Sequence, residues 1–549
     1  MTDSTAFAVK PLSASAALSK SKFVHGMQCP MYVWLEVRTD APTPERDAFT
    51  KALFATGEEV GKLARQRWDE RLAASGRPLG ILATDDPRQH EVAVAETVAA
   101  IENGAGAIHE AAFTHSRVRV RVDVLELLAD GTFAIHEVKS TSKYEEKKHL
   151  QDAAVQLWVL RGTGLPVSRV GLVHLNSEYV WPGGEYDLEQ LFAEEDITEA
   201  AEALQESIGL DVARLLGVVD SDAQPAVADD VKCNSPYPCP YLDLCPAVDH
   251  TIEHPIHELP DCRRGKGMHR NVTECGYNSL LELDEVEATK LLRKAGDTQV
   301  HAKWFNTWKA TVTEERILLP ECPAWIGGLA FPIRHLDFET VGAPLPIVLN
   351  THPFEVVPLQ YSIHVELEDG TIDHREFMAD AEDVDPRRSL LKRMLDDLGD
   401  SGDIIHWSSF ERTVIRRLAE DPKYAEFSER LEALIPRLKD LGKAVSDWVF
   451  DVDFHGRWSL KKVYPVLVPS GECGEHLEDG ESPVLSYDDL EGVAKGDEAA
   501  MMLLEYMRPG TAPERRDDIR RQLLEYCKLD TWATVEVLRV LREECRVAG

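Results

Sequence analysis

Residues 334–340 read Arg-His-Leu-Asp-Phe-Glu-Thr, and this stretch decides how the second half of the chain is interpreted. The run predicts a β-strand, on which side chains two positions apart point to the same face. Asp337 and Glu339 therefore share a face. Far downstream, Tyr526 and Asp530 lie four residues apart in a helical pattern, so these two side chains also share a face.

Carboxylates that converge in this way repel one another unless a divalent cation neutralises them. Mg²⁺ and Mn²⁺ prefer oxygen ligands of this kind. A buried strand pattern at 404–406 is followed by a turn and by Glu411, which can face the first pair from the start of a helix. Asp440 is a further candidate acid. We therefore predict an α/β domain whose metal ligands are Asp337, Glu339, Glu411 and Asp530.

This order of residues resembles the DEDD exonuclease superfamily, in its tyrosine-containing subclass, over residues 331–545. The resemblance implies an RNase H-like fold, two Mg²⁺ or Mn²⁺ ions, and hydrolysis of phosphodiester bonds from 3′ ends. It also implies that the four acids hold the ions and that Tyr526 lies beside the nucleophile. Two positions depart from the common pattern: Glu411 replaces the more usual Asp, and Trp407 stands where Asn is frequent.

The alternative is that a surface Asp-x-Glu pair and an unrelated helical Tyr and Asp coincide in one sequence. A phosphodiester substrate also needs basic contacts. The segment Trp-Ser-Leu-Lys-Lys at 458–462 is expected to place Lys461 or Lys462 against the phosphate backbone.

A second constellation lies in the first half of the chain. Residues 117–124 read Arg-Val-Arg-Val-Arg-Val-Asp-Val, and strict alternation places Asp123 on the polar face of a strand. The next strand pattern carries Glu137 and Lys139 on one face. Such a hairpin forms a compact two-carboxylate metal site, in which the lysine can stabilise the attacking water or the charge developing on phosphate. The following helical pattern carries Gln156 among apolar residues.

This arrangement resembles the PD-(D/E)XK nuclease superfamily, specifically its RecB-like branch, over roughly residues 15–250. The resemblance implies a restriction-endonuclease-like α/β core. It also implies the two metal ligands, the catalytic lysine and the helix motif residue, which are Asp123 and Glu137, Lys139 and Gln156.

One position departs from the RecB-like pattern. Many relatives carry a helical histidine four residues after a glycine, whereas here Gly57 is followed at that point by Gly61. Either Glu58 or Glu59 substitutes for the histidine, or the ligand is missing. The number of metal ions at this site therefore stays open.

The cysteines support the same family. Cys233, Cys239 and Cys245 are evenly spaced in a proline-rich segment, and Cys29 lies far upstream. Three clustered cysteines and one remote cysteine resemble the RecB-like nucleases that carry a [4Fe–4S] cluster, including the CRISPR-associated exonucleases. Four thiolates could equally hold Zn²⁺, and four buried thiols are the remaining alternative. The other six cysteines show no ligand-like grouping, and we expect most of them to be small core residues.

Periodicity predicts the elements around these residues. One amphipathic helix is expected over 12–40, with Ser19 as its N-cap, and a strand over 112–128. A strand over 167–175 and a helix over 189–216 complete the first half. For the whole chain we predict a RecB-like domain at 1–250, a helical connector at 251–330 and an exonuclease domain at 331–549.

Composition limits the function. The chain has 549 residues and a formal net charge of −36, which lowers but does not cancel the expectation of a nucleic-acid ligand, because phosphate contacts need Lys and Arg. No apolar stretch is long enough to span a bilayer and no signal peptide is recognisable, so we expect no membrane partner. Ten cysteines without an export signal favour reduced thiols or metal ligands, and hence the cytoplasm.

The expected function is therefore a nuclease with two metal-dependent centres that acts on DNA in preference to RNA. Two alternatives stay open. One is a nucleic-acid-binding scaffold in which one or both sites are inactive. The other is a structural zinc protein whose acidic clusters are surface features.

Overall fold

The computed structural model describes residues 9–10, 18–42, 48–227, 233, 238–262, 267–292, 300–383, 385–468, 487, 490, 492–493 and 495–547. The chain divides into two compact units. The first comprises Met1–Thr251, Pro344–Pro346 and Asn350–Phe354, and the second comprises Ile252–Ala343, Ile347–Leu349 and Glu355–Gly549. Both are mixed α/β, which confirms the predicted fold class. The residues predicted as a connector, 251–330, fall almost entirely within the second unit.

The first unit contains both helices and strands, besides 3-10 turns, among its described residues. They are β1 (Leu18–Ser19), α1 (Lys20–Gln28), α2 (Pro30–Arg38), α3 (Ala48–Ala74), β2 (Ile81–Leu82), α4 (His90–Glu102), β3 (Ala107–His115), β4 (Val118–Leu127), β5 (Phe133–Lys139), α5 (Glu146–Gly162), β6 (Val167–Leu175), α6 (Leu188–Leu191), β7 (Phe192–Asp196), α7 (Thr198–Ala203) and α8 (Gln205–Asp220).

The sheet of the first unit has the order β2-β3-β4-β5-β6-β7, and β1 pairs with β4. Strands β3, β4 and β5 are antiparallel neighbours, whereas β6 runs parallel to β5. One apolar cluster joins β3 to β6 with α5 and α8, and another joins α3 with β6 and α6. This packing fixes β4, β5 and α5, which carry the predicted residues Asp123, Glu137, Lys139 and Gln156.

Two predicted elements of the first unit are interrupted. Residues 12–17 of the helix expected over 12–40 lie outside the described residues, and the part from Lys20 to Arg38 is two helices, because Cys29 between them is extended. Pro30 explains the break, since proline disfavours helical backbone in the residue before it. Ser19 does cap the first of these helices, accepting a hydrogen bond from the backbone N–H of Lys22. The strand expected over 112–128 is the hairpin β3–β4.

The helix expected over 189–216 is also wrong in part. Its first turn is α6, its second segment is strand β7, and the long helix α8 starts only at Gln205. The strand reads Phe-Ala-Glu-Glu-Asp, which has no β-branched residue, and it forms because it pairs antiparallel with β6. Here tertiary pairing overrides local preference.

The second unit has more helices than the first and a smaller main sheet. Besides 3-10 turns, its elements are α9 (Gly267–Thr273), α10 (Glu285–Leu292), α11 (Val300–Thr313), β8 (Ile317–Leu318), α12 (Glu321–Gly327), β9 (Ile333–Val341), β10 (Val357–Glu366), β11 (Ile372–Met378), α13 (Pro386–Leu398), β12 (Ile404–His406), α14 (Ser409–Glu420), α15 (Ala425–Leu434), β13 (Leu438–Asp440), α16 (Leu441–Trp448), β14 (Val449–Phe450), α17 (Leu460–Leu467), α18 (Gly496–Met507) and α19 (Pro513–Val547).

Its main sheet has the order β11-β10-β9-β12-β13. Strands β9, β10 and β11 are antiparallel neighbours, and β12 runs parallel to both β9 and β13. Helices α13, α14 and α15 share one apolar cluster with the sheet, whereas α18 and α19 share another. The central strand β9 carries the Asp-x-Glu pair, so the sheet presents these acids beside helix α19. Among the described residues, no helix is long and apolar enough to cross a membrane.

Candidate active sites

The C-terminal helix α19 is held against the sheet by hydrogen bonds along one of its faces. The side-chain amide of Gln360 donates to the carbonyl of Leu523 at 2.8 Å. Two turns further on, the hydroxyls of Ser362 and Thr531 are 2.7 Å apart. These contacts fix the rotation and height of the helix. Tyr526 and Asp530 are thereby placed beside strand β9, as the sequence predicts.

Four acids of the second unit influence one another electrostatically. Burial raises the pKa of Asp337 well above its ordinary value, and the nearby carboxylates of Asp530, Glu339 and Glu411 raise it further. Burial and Asp530 do the same to Glu339. Glu411 has a pKa raised to about 7, mainly by burial. The pKa of Asp530 is also raised by burial. The structure therefore brings all four predicted acids into one cluster that disfavours negative charge.

One lysine and two tyrosines lie beside these acids. Lys461 donates from its Nζ to the hydroxyl of Tyr526 at 2.7 Å, and its ammonium group lies 4.6 Å from the centroid of that ring. The hydroxyl of Tyr487 donates to Oδ1 of Asp530. Burial raises the pKa of Tyr526, and the carboxylates of the cluster raise it further, so its hydroxyl keeps its proton. Of the two lysines proposed from the sequence, Lys461 lies at the acids.

The loop before α14 positions Glu411. The hydroxyl of Ser408 caps this helix and also donates to Oε2 of Glu411 at 3.3 Å. His406 is fully buried at the end of β12, and its Nδ1 lies 3.6 Å from the same carboxylate. Asp440 pairs with His406 across the β12–β13 ladder, and its charge contributes to the raised pKa of Glu411. Asp440 also caps helix α16.

Cys527 is a residue whose place the sequence did not predict. Its Sγ lies 3.6 Å from Oδ2 of Asp337, and atoms of Cys527, Asp337 and Glu339 that could ligate one metal lie within 4.8 Å of one another. Burial raises the pKa of this thiol well above its ordinary value, and Asp337 and Glu339 raise it further. The thiol therefore stays protonated and donates to Asp337.

The first unit gathers its predicted residues around one carboxylate. Glu137 is 1% exposed, and its Oε1 accepts from Nζ of Lys139 at 2.8 Å and from Nζ of Lys20 at 2.7 Å. Its Oε2 accepts from the side-chain amide of Gln156. Burial alone would raise the pKa of Glu137, but the two lysines outweigh it and lower the pKa below its ordinary value. Lys139 also pairs with Asp152.

Asp123 lies in the same cleft as Glu137, but its pKa is shifted in the opposite direction. Burial and repulsion from Glu137 raise its pKa to about 7, although its Oδ2 accepts from the backbone N–H of Val138 at 2.7 Å. The cleft has a volume of about 660 Å³. Besides Asp123, Glu137 and Lys139, its lining includes the charged side chains of Lys20, Glu58, Lys62, Arg65, Asp85 and Glu110.

Glu110 is the best candidate to replace the histidine that the RecB-like pattern has and this chain lacks. The pairing of β3 with β4 joins His109 to Val124 and Ala111 to Val122, so Glu110 lies opposite Asp123. Its backbone has φ 55°, and burial raises the pKa of its carboxyl, against the ion pair with Arg65 at 3.2 Å. Of the two glutamates proposed as substitutes, only Glu58 lines the cleft.

The four cysteines come together in the first unit. Cys29, Cys239 and Cys245 belong to one apolar cluster with Tyr241. The backbone N–H of Cys239 donates to the carbonyl of Cys233 at 2.7 Å. Burial, together with the neighbouring cysteines, raises the pKa of Cys239 to about 11. Among the described residues, no three cysteine sulfur atoms lie within 4.8 Å of one another.

Comparison with known proteins finds a similarity to one family model over part of this chain. A family model described as a domain of unknown function, DUF2779, matches residues 334–459, which include Asp337, Glu339 and Glu411 but not α19. No curated protein matches. Nine solved chains match, among them one titled "Crystal structure of SSO0001", with 14% identity over 43% of this chain and 89% of that chain. Its TM-score is 0.20, so this likeness carries no structural argument.

Proposed function

We propose that this protein is a metal-dependent nuclease that hydrolyses phosphodiester bonds, with one centre in each compact unit. The observation that carries the proposal is the convergence of Asp337, Glu339, Glu411 and Asp530, whose pKa values are all raised. Divalent cations stabilise a cluster of acids in this state when they bind, because they remove the repulsion between the carboxylates. The order of the residues resembles DEDD exonucleases, which supports removal of nucleotides from 3′ ends.

In the second centre, the acids, the tyrosines and the lysine would each have a distinct role. When bound, Mg²⁺ or Mn²⁺ would activate a water molecule and stabilise the leaving 3′ oxygen. The four acids would hold the ions. Tyr526 keeps its hydroxyl proton and can orient the water, while Lys461 fixes that hydroxyl and supplies positive charge for the phosphate. Tyr487 holds Asp530 in place through a hydrogen bond.

The first centre would use Asp123 and Glu137 as metal ligands and Lys139 as the catalytic lysine. Gln156 orients the Glu137 carboxylate by donating to it. Four basic side chains line the cleft, which supports a phosphate-containing ligand despite the net charge of −36: they belong to Lys20, Lys62, Arg65 and Lys139. In this proposal the ligand is nucleic acid, DNA in preference to RNA, and the compartment is the cytoplasm.

Digestion of end-labelled oligonucleotides tests the proposal. Single- and double-stranded DNA and RNA would be incubated with the full chain in Mg²⁺, in Mn²⁺ and in EDTA. We expect shortening of DNA from the 3′ end with either cation and no cleavage in EDTA. If none of the four substrates is cleaved with either cation, the protein is not a nuclease, and retained binding of DNA would identify it as a scaffold.

The cysteines are proposed to hold a [4Fe–4S] cluster, with Zn²⁺ as the alternative. A single Zn²⁺ binds thiolates at about 2.3 Å in tetrahedral geometry, which sets the sulfur atoms about 3.8 Å apart. The layout of three clustered cysteines and one remote cysteine, Cys233, Cys239, Cys245 and Cys29, resembles RecB-like nucleases with such a cluster and supports the larger group. The group would join the α1–α2 junction to residues far along the chain and so stabilise the first unit.

Metal analysis of protein purified without oxygen tests this assignment. In the wild type we expect iron, acid-labile sulfide and broad visible absorption. In Cys239→Ser we expect the absorption to be lost and the thermal stability of the first unit to fall. Cys275→Ser is the matched control, because Cys275 is exposed and lies outside the four-cysteine group. Zinc without iron in the anaerobic preparation would contradict the cluster.

A further inference from the structure

The second unit contains a group of potential metal ligands that belongs to neither proposed centre. It consists of His254, Glu258 and His455. Nδ1 of His254 lies 3.0 Å from Oε2 of Glu258, and Nδ1 of His455 lies 3.0 Å from Oε1 of the same carboxylate. One ligand atom from each residue lies within 4.8 Å of the others. The two imidazole rings are stacked, with centroids 5.8 Å apart.

Backbone hydrogen bonds hold the first half of this group. The carbonyl of His254 accepts from the N–H of Leu280 at 2.7 Å, and the N–H of Ile256 donates to the carbonyl of Asn278 at 3.0 Å. His254 itself has φ 46°, a conformation that is uncommon for a residue with a side chain. The segment 254–258 is therefore held in a defined conformation by residues 278–280, so the two ligands it carries are positioned in advance.

The second half of the group depends on a close backbone approach. His455 has φ 49°, and its N–H donates to the carbonyl of Val452 at 3.1 Å. Gly456 has φ 65°, and a Cβ at this position would lie 1.6 Å from the carbonyl oxygen of Glu258. Only glycine permits this approach, which brings His455 to the carboxylate.

From this geometry we infer that His254, Glu258 and His455 bind one Zn²⁺ ion, which fastens the segment 254–258 to the turn 452–456. Zn²⁺ binds imidazole nitrogen and carboxylate oxygen at about 2.0–2.2 Å, which sets tetrahedral donors about 3.3 Å apart. The two nitrogen–oxygen separations of 3.0 Å are close to that value. Two imidazoles and one carboxylate suit Zn²⁺ rather than Mg²⁺, which prefers oxygen ligands only.

Exposure of the group decides what else the ion would contact. The side chains of His254 and Glu258 are 18% and 17% exposed, whereas that of His455 is 42% exposed. The site is thus open on the His455 side, where water can provide a fourth ligand. The ion would join two segments almost 200 residues apart in the sequence, so its loss is expected to lower the stability of the second unit.

Zinc titration of variants of the full chain tests this inference. Wild type, His455→Ala, Glu258→Gln and the control His257→Ala would be compared by equilibrium dialysis against Zn²⁺. The control changes an exposed histidine of the same segment that is not one of the three ligands. Other zinc-binding groups contribute equally to all four proteins, so the difference between them isolates this site.

We expect wild type and His257→Ala to bind about one Zn²⁺ per chain more than His455→Ala and Glu258→Gln. The zinc-induced rise in the thermal midpoint should be lost in the same two variants. Glu258→Gln keeps the shape of the side chain, which guards against a folding defect, and circular dichroism checks His455→Ala. Equal zinc content in all four proteins would show that the group is only a hydrogen-bonded His–Glu–His arrangement and would overturn the inference.

Discussion

The two carboxylate centres handle negative charge in opposite ways. In the first unit, Glu137 accepts from Lys20, Lys139 and Gln156, and its pKa is lowered. In the second unit, the pKa of Asp337 is raised by burial and by three other acids, and Lys461 is the cation that lowers the pKa values of its neighbours Glu339 and Asp530. The protein itself thus neutralises the first centre, whereas the second has more negative charge than its own side chains neutralise.

This difference predicts different requirements for metal. The second centre gains directly from divalent cations, because each cation replaces repulsion with attraction. At the first centre a cation has to compete with the ammonium groups already bound to Glu137, whereas burial and repulsion from Glu137 raise the pKa of Asp123 to about 7. We therefore expect the second centre to carry the stronger and more cation-dependent activity.

The largest effect is expected from Asp337→Asn. This substitution removes the acid that interacts with all three of its neighbours, so the loss of transition-state stabilisation should slow 3′ shortening by at least ~10³-fold. Single-turnover digestion of an end-labelled oligonucleotide in Mn²⁺ measures it. Asp373→Asn is the matched control, since Asp373 is exposed on β11 and pairs with Arg375. If Asp337→Asn shortened the oligonucleotide at the wild-type rate, the result would contradict the DEDD assignment.

A smaller effect is expected from Lys139→Ala in the first unit. The lysine contacts both Glu137 and Asp152, so its removal takes this ion pair from Asp152, leaves Glu137 with Lys20 as its ammonium partner, and takes one of the four basic side chains from the cleft. Cleavage by the first centre should fall by about 10²–10³-fold, while 3′ shortening by the second centre should not change. Internal cleavage of circular DNA, which has no ends, measures the first centre separately. Lys143→Ala, at an exposed lysine nearby, is the control.

Two results of that experiment would change the comparison. If Lys139→Ala abolished 3′ shortening as well, the two centres would have to act as one site. If circular DNA were not cleaved even by wild type, the lysines around Glu137 would be structural, and the first unit would act as a binding module for the second.

Tyr526→Phe should have a still smaller effect. It removes the hydroxyl that accepts from Lys461 and interacts with Asp530, but it leaves the four acids in place. We expect 3′ shortening to slow by about 10–100-fold, with metal binding retained. Tyr506→Phe is a matched control, because Tyr506 belongs to the same apolar cluster and its hydroxyl bonds to Ala379 instead. An equal loss in both variants would assign the effect to packing.

Alternation and helical spacing were enough to predict which side chains of one element share a face, whereas the grouping of the four acids into one site was implied by the DEDD resemblance. The strand predicted over 167–175 and the face shared by Glu137 and Lys139 are both confirmed, because each depends only on a local period. Tyr526 and Asp530 share a helix face for the same reason. These predictions needed no knowledge of which segments pair.

Features that depend on which segments of the chain pair with each other were not predicted from the sequence. The turn between β3 and β4 has Ser116 and Arg117 at φ 46° and 65°, positions where glycine or asparagine is the usual signal. Without that turn, nothing in the sequence placed Glu110 opposite Asp123. Lys20 contacts Glu137, which lies 117 residues further along the sequence, and no local sequence pattern predicts such a contact.

The smallest expected effect is a change of stability with pH that distinguishes the centres. The pKa of Glu411 is about 7 in the folded protein, against an ordinary value of 4.5. Between these values the folded state keeps a proton that the unfolded state has lost, so in EDTA the free energy of unfolding should fall as the pH rises from about 4.5 to 7. The change should be on the order of 1–3 kcal/mol, which moves a thermal midpoint by a few degrees.

Glu411→Gln isolates this contribution, because glutamine keeps the shape of the side chain but does not titrate. Thermal midpoints of wild type and variant would be measured in EDTA and in Mn²⁺ at pH 5 and pH 7.5. In EDTA the wild type should lose more stability than the variant over this interval, since Glu411 must then ionise beside Asp440 and the other acids. Mn²⁺ should abolish the difference, because it supplies the positive charge that the second centre lacks. Identical pH dependence of the two proteins in EDTA would mean that Glu411 is already neutralised by the protein, and the contrast between the two centres would disappear.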